Sequence, residues 1–196
     1  MGPVRLGSGA TSVSSPLPGG VPAVTRPPLP HDFQRQVPDL TVTSTDVTDG
    51  GTLGEAQVLA GGDLSPQLSW SGFPAETKSF AVTCFDPDAP TGSGWWHWIV
   101  FDIPATVTSL PTGAGSGDFA GLPAGAVQGR NDYGTKNFGG AAPPAGHGPH
   151  RYVFSVTALG VEKLGLDSDT SAAAIGATIG FQAVARGTVI AEYENK

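Results

Sequence analysis

Cysteine is nearly missing from this chain: Cys84 stands alone, inside the apolar run FAVTCF. A lone cysteine cannot close an intrachain disulfide, so nothing points to an oxidising compartment. In such a run it reads as a small buried hydrophobe, with a reactive thiol as the sharper alternative. Cations are sparse as well. Ten lysines and arginines are scattered singly against 17 acidic residues, for a formal net charge of -7. With no basic stripe to follow a phosphate backbone, nucleic acid is set aside as a partner. One small anion in a local pocket is still allowed, because a pocket's field is set by its own donors. No apolar run reaches the roughly 18 residues of a membrane-spanning helix. Arg5 is not followed by an apolar stretch, so no secretory signal is read and the cytoplasm is the default location.

Glycine and proline are what the chain has in excess, 29 and 18 residues. Residues 1–30 are Gly, Pro and Ser with isolated Val and Leu, too little apolar surface to offset the entropy of ordering. They read as a flexible tail, native or a leader remnant, in front of one domain spanning 31–196. From His31 onward, β-branched and aromatic runs alternate with turn clusters: Leu40 to Ser44, Leu68 to Trp70, Phe80 to Phe85, Trp98 to Ile103, Arg151 to Ala158 and Thr188 to Tyr193. Short strands at this spacing predict an all-β sandwich or barrel. Ser168 to Arg186 is the exception. Cap-type residues, helical spacing of Ile175, Ile179 and Val184, and Gly187 after Arg186 predict a helix near the C-terminus. A further turn of helix is expected at Glu162 to Leu164.

Two stretches carry the chemistry. In DPDAPTGSGWWHW, Pro87 and Pro90 fix φ and bias Asp86 and Ala89 toward extended backbone. Asp86 and Asp88 are therefore presented by a stiff loop. A strand start follows, where alternation puts Trp96 and Trp98 on one face and Trp95 and His97 on the other. In GGAAPPAGHGPHRYVF, Gly139-Gly140 and Pro143-Pro144 make a stiff turning approach, and Gly146 and Gly148 would let the backbone come close to something. His150 and Tyr152 then share one face of a new strand. His147, between two glycines at the loop tip, has no strand to fix it. Three chemistries compete for such a concavity. A metal could use Asp86, Asp88, His97 and His150, but their spacing matches no standard motif. A Ser–His–Asp hydrolase lacks a nucleophile elbow, and only Ser93 lies near the histidine-bearing turns. A small-anion pocket would use His, Tyr and backbone N–H donors, with Asp86 orienting a histidine.

These motifs, together with SPQLSWSGFP, resemble the phosphatidylethanolamine-binding protein family, also called Raf kinase inhibitor-like proteins, and in particular its short bacterial branch. The resemblance runs from about Pro38 to Tyr193. It implies an antiparallel β-sandwich with a few short helices and an anion pocket at one end. That pocket would be lined by Asp86, Asp88, Pro90, Trp95, His97, Ala142, Pro143, Pro144, His150 and Tyr152. It also implies a non-enzymatic, regulatory binder of small anions or phospholipid head groups, working without a cofactor or metal, and a cis bond between Ala89 and Pro90. Members of the family also act on kinases or proteases, so an inhibitor with a protein ligand is the alternative, and a hydrolase or metal enzyme the next. A homodimer is left open. Ala142 stands where many members carry Gly or Cys, and the chain ends at Lys196 without the C-terminal helix of animal members.

Overall fold

The computed structural model describes residues 26–196, so the expected behaviour of residues 1–25 lies outside the described residues. Two antiparallel sheets face each other. The smaller consists of β1 (Thr41–Thr43), β2 (Leu68–Ser71) and β5 (Ser109–Leu110), in the order β1-β2-β5. The larger contains β3 (Ser79–Asp86), β4 (Trp95–Pro104), β6 (Val127–Gln128), β7 (His150–Leu159) and β8 (Ala183–Tyr193), in the order β6-β4-β3-β7-β8. The expected antiparallel sandwich is therefore what the chain forms. Burial on both faces explains why β3, β4 and β7 read as near-continuous apolar runs.

Between the sheets lies the main core. Leu68 and Trp70 of the small sheet meet Phe80, Val82, Trp98, Val100 and Phe154 of the large one, with Trp70 edge-on to Phe80 at 5.3 Å between ring centroids. A second core lies on the other face of the large sheet, where Ala172, Ile175 and Ile179 cover Ala81, Ile99 and Phe101. These come from α1 (Ala172–Gln182), which begins at Ser171, whose hydroxyl accepts from the Ala174 amide. The helix is shorter than expected. Ala183 to Arg186 belong to β8, because pairing with β7 along Ala158↔Ala185 and Thr157↔Arg186 outweighs their helical preference. No helix forms at Glu162 to Leu164 either. There the Leu164 amide is held by the Asp102 carboxylate at 2.8 Å, and Asp102 has a φ of 57° next to a shift in β3–β4 register.

Arg26 to Pro30, placed with the tail by composition, touch the domain. Arg26 pairs with Glu192 and the Pro27 carbonyl accepts from Arg151. Among the described residues no helix is long and apolar enough to cross a membrane.

Candidate functional site

The C-terminal end of β3 and the starts of β4 and β7 meet at one end of the large sheet. The loop before β7 closes over them, leaving a cleft of about 240 Å³. Of the ten residues expected there, the cleft is lined by Asp86, Pro90, Trp95, His97, Ala142, Pro143, Pro144, His150 and Tyr152, and additionally by Ala89, Thr91 and Tyr133. Asp88 is absent from it. Its two carboxylate oxygens take Arg151 Nε and Nη2 at 2.8 Å each, and one also takes the Arg151 amide at 2.9 Å. Burial works against this carboxylate, but the bonds from Arg151 outweigh it and hold its pKa below the usual range. Asp88 thus clamps β7 to the loop after β3.

His97 enters the cleft through a bulge. Cys84 pairs with Trp98 and Phe85 with Trp96, so His97 is an extra residue with no partner on β3. Its backbone pairs elsewhere: the Gly139 amide donates to the His97 carbonyl at 2.9 Å. The ring returns the bond, Nδ1 donating to the Gly139 carbonyl at 2.6 Å. That assigns the proton to Nδ1 and leaves Nε2 for the cleft. The bulge also corrects the alternation expected from sequence. Trp96 goes to the helix side, whereas Trp98 joins His97 on the inner side, in the core between the sheets. Burial is the main influence on the His97 ring. It outweighs the Gly139 bond and the Asp86 charge and lowers the pKa from its ordinary 6.5.

His150 is equally buried and differently bound. Nδ1 donates to Asp86 Oδ2 at 2.7 Å, and Nε2 lies 2.7 Å from His147 Nδ1. The other Asp86 oxygen accepts the Asp88 amide at 2.8 Å, an Asx-type turn. The loop-tip histidine, expected to be unfixed, is therefore anchored to the buried one. Gly146 and Gly148 also differ from expectation. Their φ values are 75° and 85°, and a Cβ on either would meet nothing, so they shape the turn that returns His147. Close approach occurs instead at Gly139 and Gly140, where a Cβ would lie 2.4 Å from the Tyr133 ring and 2.5 Å from the Leu59 amide nitrogen.

The tight turn after β3 needs no cis peptide. No peptide bond among the described residues is cis, so the expected cis Ala89–Pro90 bond is corrected to trans. The Asx-type turn at Asp86 and the Thr91 N–H bonded to the Ala89 carbonyl at 2.8 Å reverse the chain instead. Nor do the four candidate metal ligands converge. Asp88 is turned to Arg151, and among the described residues no group of three or more His, Cys, Asp and Glu could hold a metal ion. Cys84 is fully buried, and burial, with the Asp86 charge, raises its thiol pKa well above the ordinary value.

Tyr133 is the lining aromatic that sequence reasoning missed. It sits in the turn-rich stretch NDYGTK, which gave no strand or loop signal tied to the other motifs. Its hydroxyl donates to the Gly140 carbonyl at 3.2 Å, and its ring stands edge-on to Trp95 and His97. Burial, helped by Asp63, pushes its pKa up to about 12. Tyr152 is 1% exposed and edge-on to His97 at 5.0 Å. Burial and then Asp86 raise its pKa, so the hydroxyl keeps its proton. Two polar atoms of this lining, Tyr152 Oη and Trp95 Nε1, are buried without a hydrogen-bond partner.

Comparison with known proteins follows the same stretch of chain. A model of the family described as "Phosphatidylethanolamine-binding protein" matches residues 43–194. The chain is 50% identical to the UPF0098 protein YbcL of Escherichia coli, covering 84% of this chain and 92% of that one. It is 45% identical to YbhB of the same organism, covering 79% of this chain and 99% of that one. The crystal structure of E. coli YbcL, described as a new member of the mammalian PEBP family, superposes with a TM-score of 0.78 at 51% identity, over 81% of this chain and 99% of that one. By sequence and fold alike, this chain belongs to the phosphatidylethanolamine-binding protein family.

Proposed function

We propose that the cleft binds a small phosphate-like anion, free or as a phospholipid head group, and that the protein acts as a binding module rather than an enzyme. One observation carries the reading: Tyr152 Oη and Trp95 Nε1 are buried in the same cleft with no partner. An unmet buried donor costs about 1–3 kcal/mol, and an acceptor entering the cleft removes that cost. The Ala142 amide is directed at the Tyr152 oxygen, so the unmet part of this group is its O–H donor, and His97 Nε2 adds a further donor once protonated. Asp86 repels an anion less than a free carboxylate would, since both its oxygens already accept hydrogen bonds. The same pairing speaks against hydrolysis. Asp86–His150 forms the acid–base half of a triad, but the nitrogen that would activate a nucleophile meets His147.

Calorimetric titration of phosphate and phosphoethanolamine tests the reading. Tyr152→Phe and His97→Ala should each weaken binding by about 1–3 kcal/mol. Wild-type protein that takes up neither compound would overturn the anion reading.

A further inference from the structure

The opposite face of the large sheet carries a second polar constellation, outside the cleft and independent of its assignment. Sheet register lines up Thr83, Ser155 and Thr188 in one row across β3, β7 and β8. In the neighbouring row Arg186 stands beside Thr157. Beside it, α1 covers the apolar part of this face at Ala81, Ile99, Phe101 and Leu159. The short 3-10 turn Pro30–Phe33 roofs the polar part with His31. A hydroxyl row beneath a roof is not needed for packing there, where apolar side chains would serve better.

Arg186 makes this a site. Its Nη2 is buried and has no hydrogen-bond partner, and among the described residues no carboxylate lies within ion-pair distance of it. A guanidinium stays charged in proteins, so this is a cation held partly out of water without a counterion. Burial alone lowers its pKa from the ordinary value. Two spaces flank Arg186 and His31, which line both. The inner one, of about 30 Å³, is lined by Thr83, Ser155 and Thr157, and the outer one, of about 300 Å³, by Gln36, Asp39 and Thr188. The inner space has room for roughly one water-sized group, and the outer for a body of several heavy atoms.

We propose that the outer space binds a small organic carboxylate, its head group on Arg186 and its body beside Gln36 and Thr188. The planar guanidinium fork matches a carboxylate in shape and charge. Asp39 at the rim disfavours a doubly charged phosphate, so the site prefers the singly charged acid.

Acetate is the probe, followed by amide and arginine side-chain NMR. Acetate should shift Arg186 Nε–H and the amides of Ser155 and Thr188, with a weaker response to phosphate at equal concentration. Arg186→Gln should weaken that response by at least about tenfold, the loss expected for a charge-assisted bond. Arg186→Lys keeps the charge but not the fork. It should also bind acetate more weakly, and it serves as the second variant if Arg186→Gln fails to fold. His97→Ala should leave these shifts unchanged, so failure here and failure in the cleft are read at different residues. The proposal is overturned if acetate moves none of the three signals, if phosphate binds there more tightly than acetate, or if folded Arg186 variants retain wild-type affinity.

Discussion

His97 and His150 enter one cleft from the two strands that flank β3, and each is 2% exposed. Their surroundings differ in what each ring has left to give. His150 is bonded at both nitrogens, to Asp86 on one side and His147 on the other. His97 has only neutral backbone partners, its Nδ1 donating to the Gly139 carbonyl with the Gly140 backbone beside the ring. A buried imidazole flanked by a carboxylate and a second ring is a structural hinge-pin for the loop before β7. One held only by neutral backbone groups in the cleft lining can respond to what enters. Burial alone does not distinguish these roles; the partners of each ring do.

Removing the partner of His150 should have the largest effect. Asp86→Ala leaves a buried imidazole and the Asp88 amide without their acceptor. A stability loss of roughly 3 kcal/mol is expected in urea unfolding, since a buried pair is broken from one side. The matching change at the other histidine, His97→Ala, should cost stability less and ligand affinity more. Equal stability losses would mean that the two rings play the same structural part.

Acidification should act on His97 through its lowered pKa. The folded-state pKa of His97 is lowered, so the unfolded chain takes up this proton first as pH falls below 6.5. The His97 contribution to stability is therefore complete above 6.5 and declines as pH falls toward and through the lowered folded value. Anion affinity moves the opposite way, rising over that window as His97 becomes a cationic donor. Sulfate keeps its charge in this range, and melting temperatures with and without it, across pH, measure the effect. His97→Gln should flatten the sulfate dependence; a dependence that survives the substitution belongs to another group.

His147→Ala is the mildest test. His147 is exposed, and its bond to His150 Nε2 is worth about 1 kcal/mol or less at such a site. Stability should fall by no more than that, with anion affinity changed less than about threefold, which is under 1 kcal/mol. The informative readout is the His150 ring resonance, which should shift as Nε2 loses its partner. A ring signal identical to wild type would mean that the two histidines are not bonded in solution.

Much of this was legible in the residues themselves. Alternation put His150 and Tyr152 on one face of their strand, and nothing in the fold disturbs β7 there. Helical spacing placed Ile175 and Ile179 toward a core. Such features depend on backbone geometry within a few residues, and sequence records that geometry directly. Pairing decided the rest. The bulge at His97 exists because Phe85 and Cys84 choose Trp96 and Trp98 as partners, and it turns Trp98 inward against strict alternation. Asp88 was given to Arg151, Tyr133 to the cleft, and His147 to His150, by contacts that strand register and the returning loop create. Ala183 to Arg186 became strand because β7 offers an unpaired edge along their length. Local composition fixes which side chains can do chemistry, whereas hydrogen-bonded register between distant segments decides which of their atoms are left free to do it.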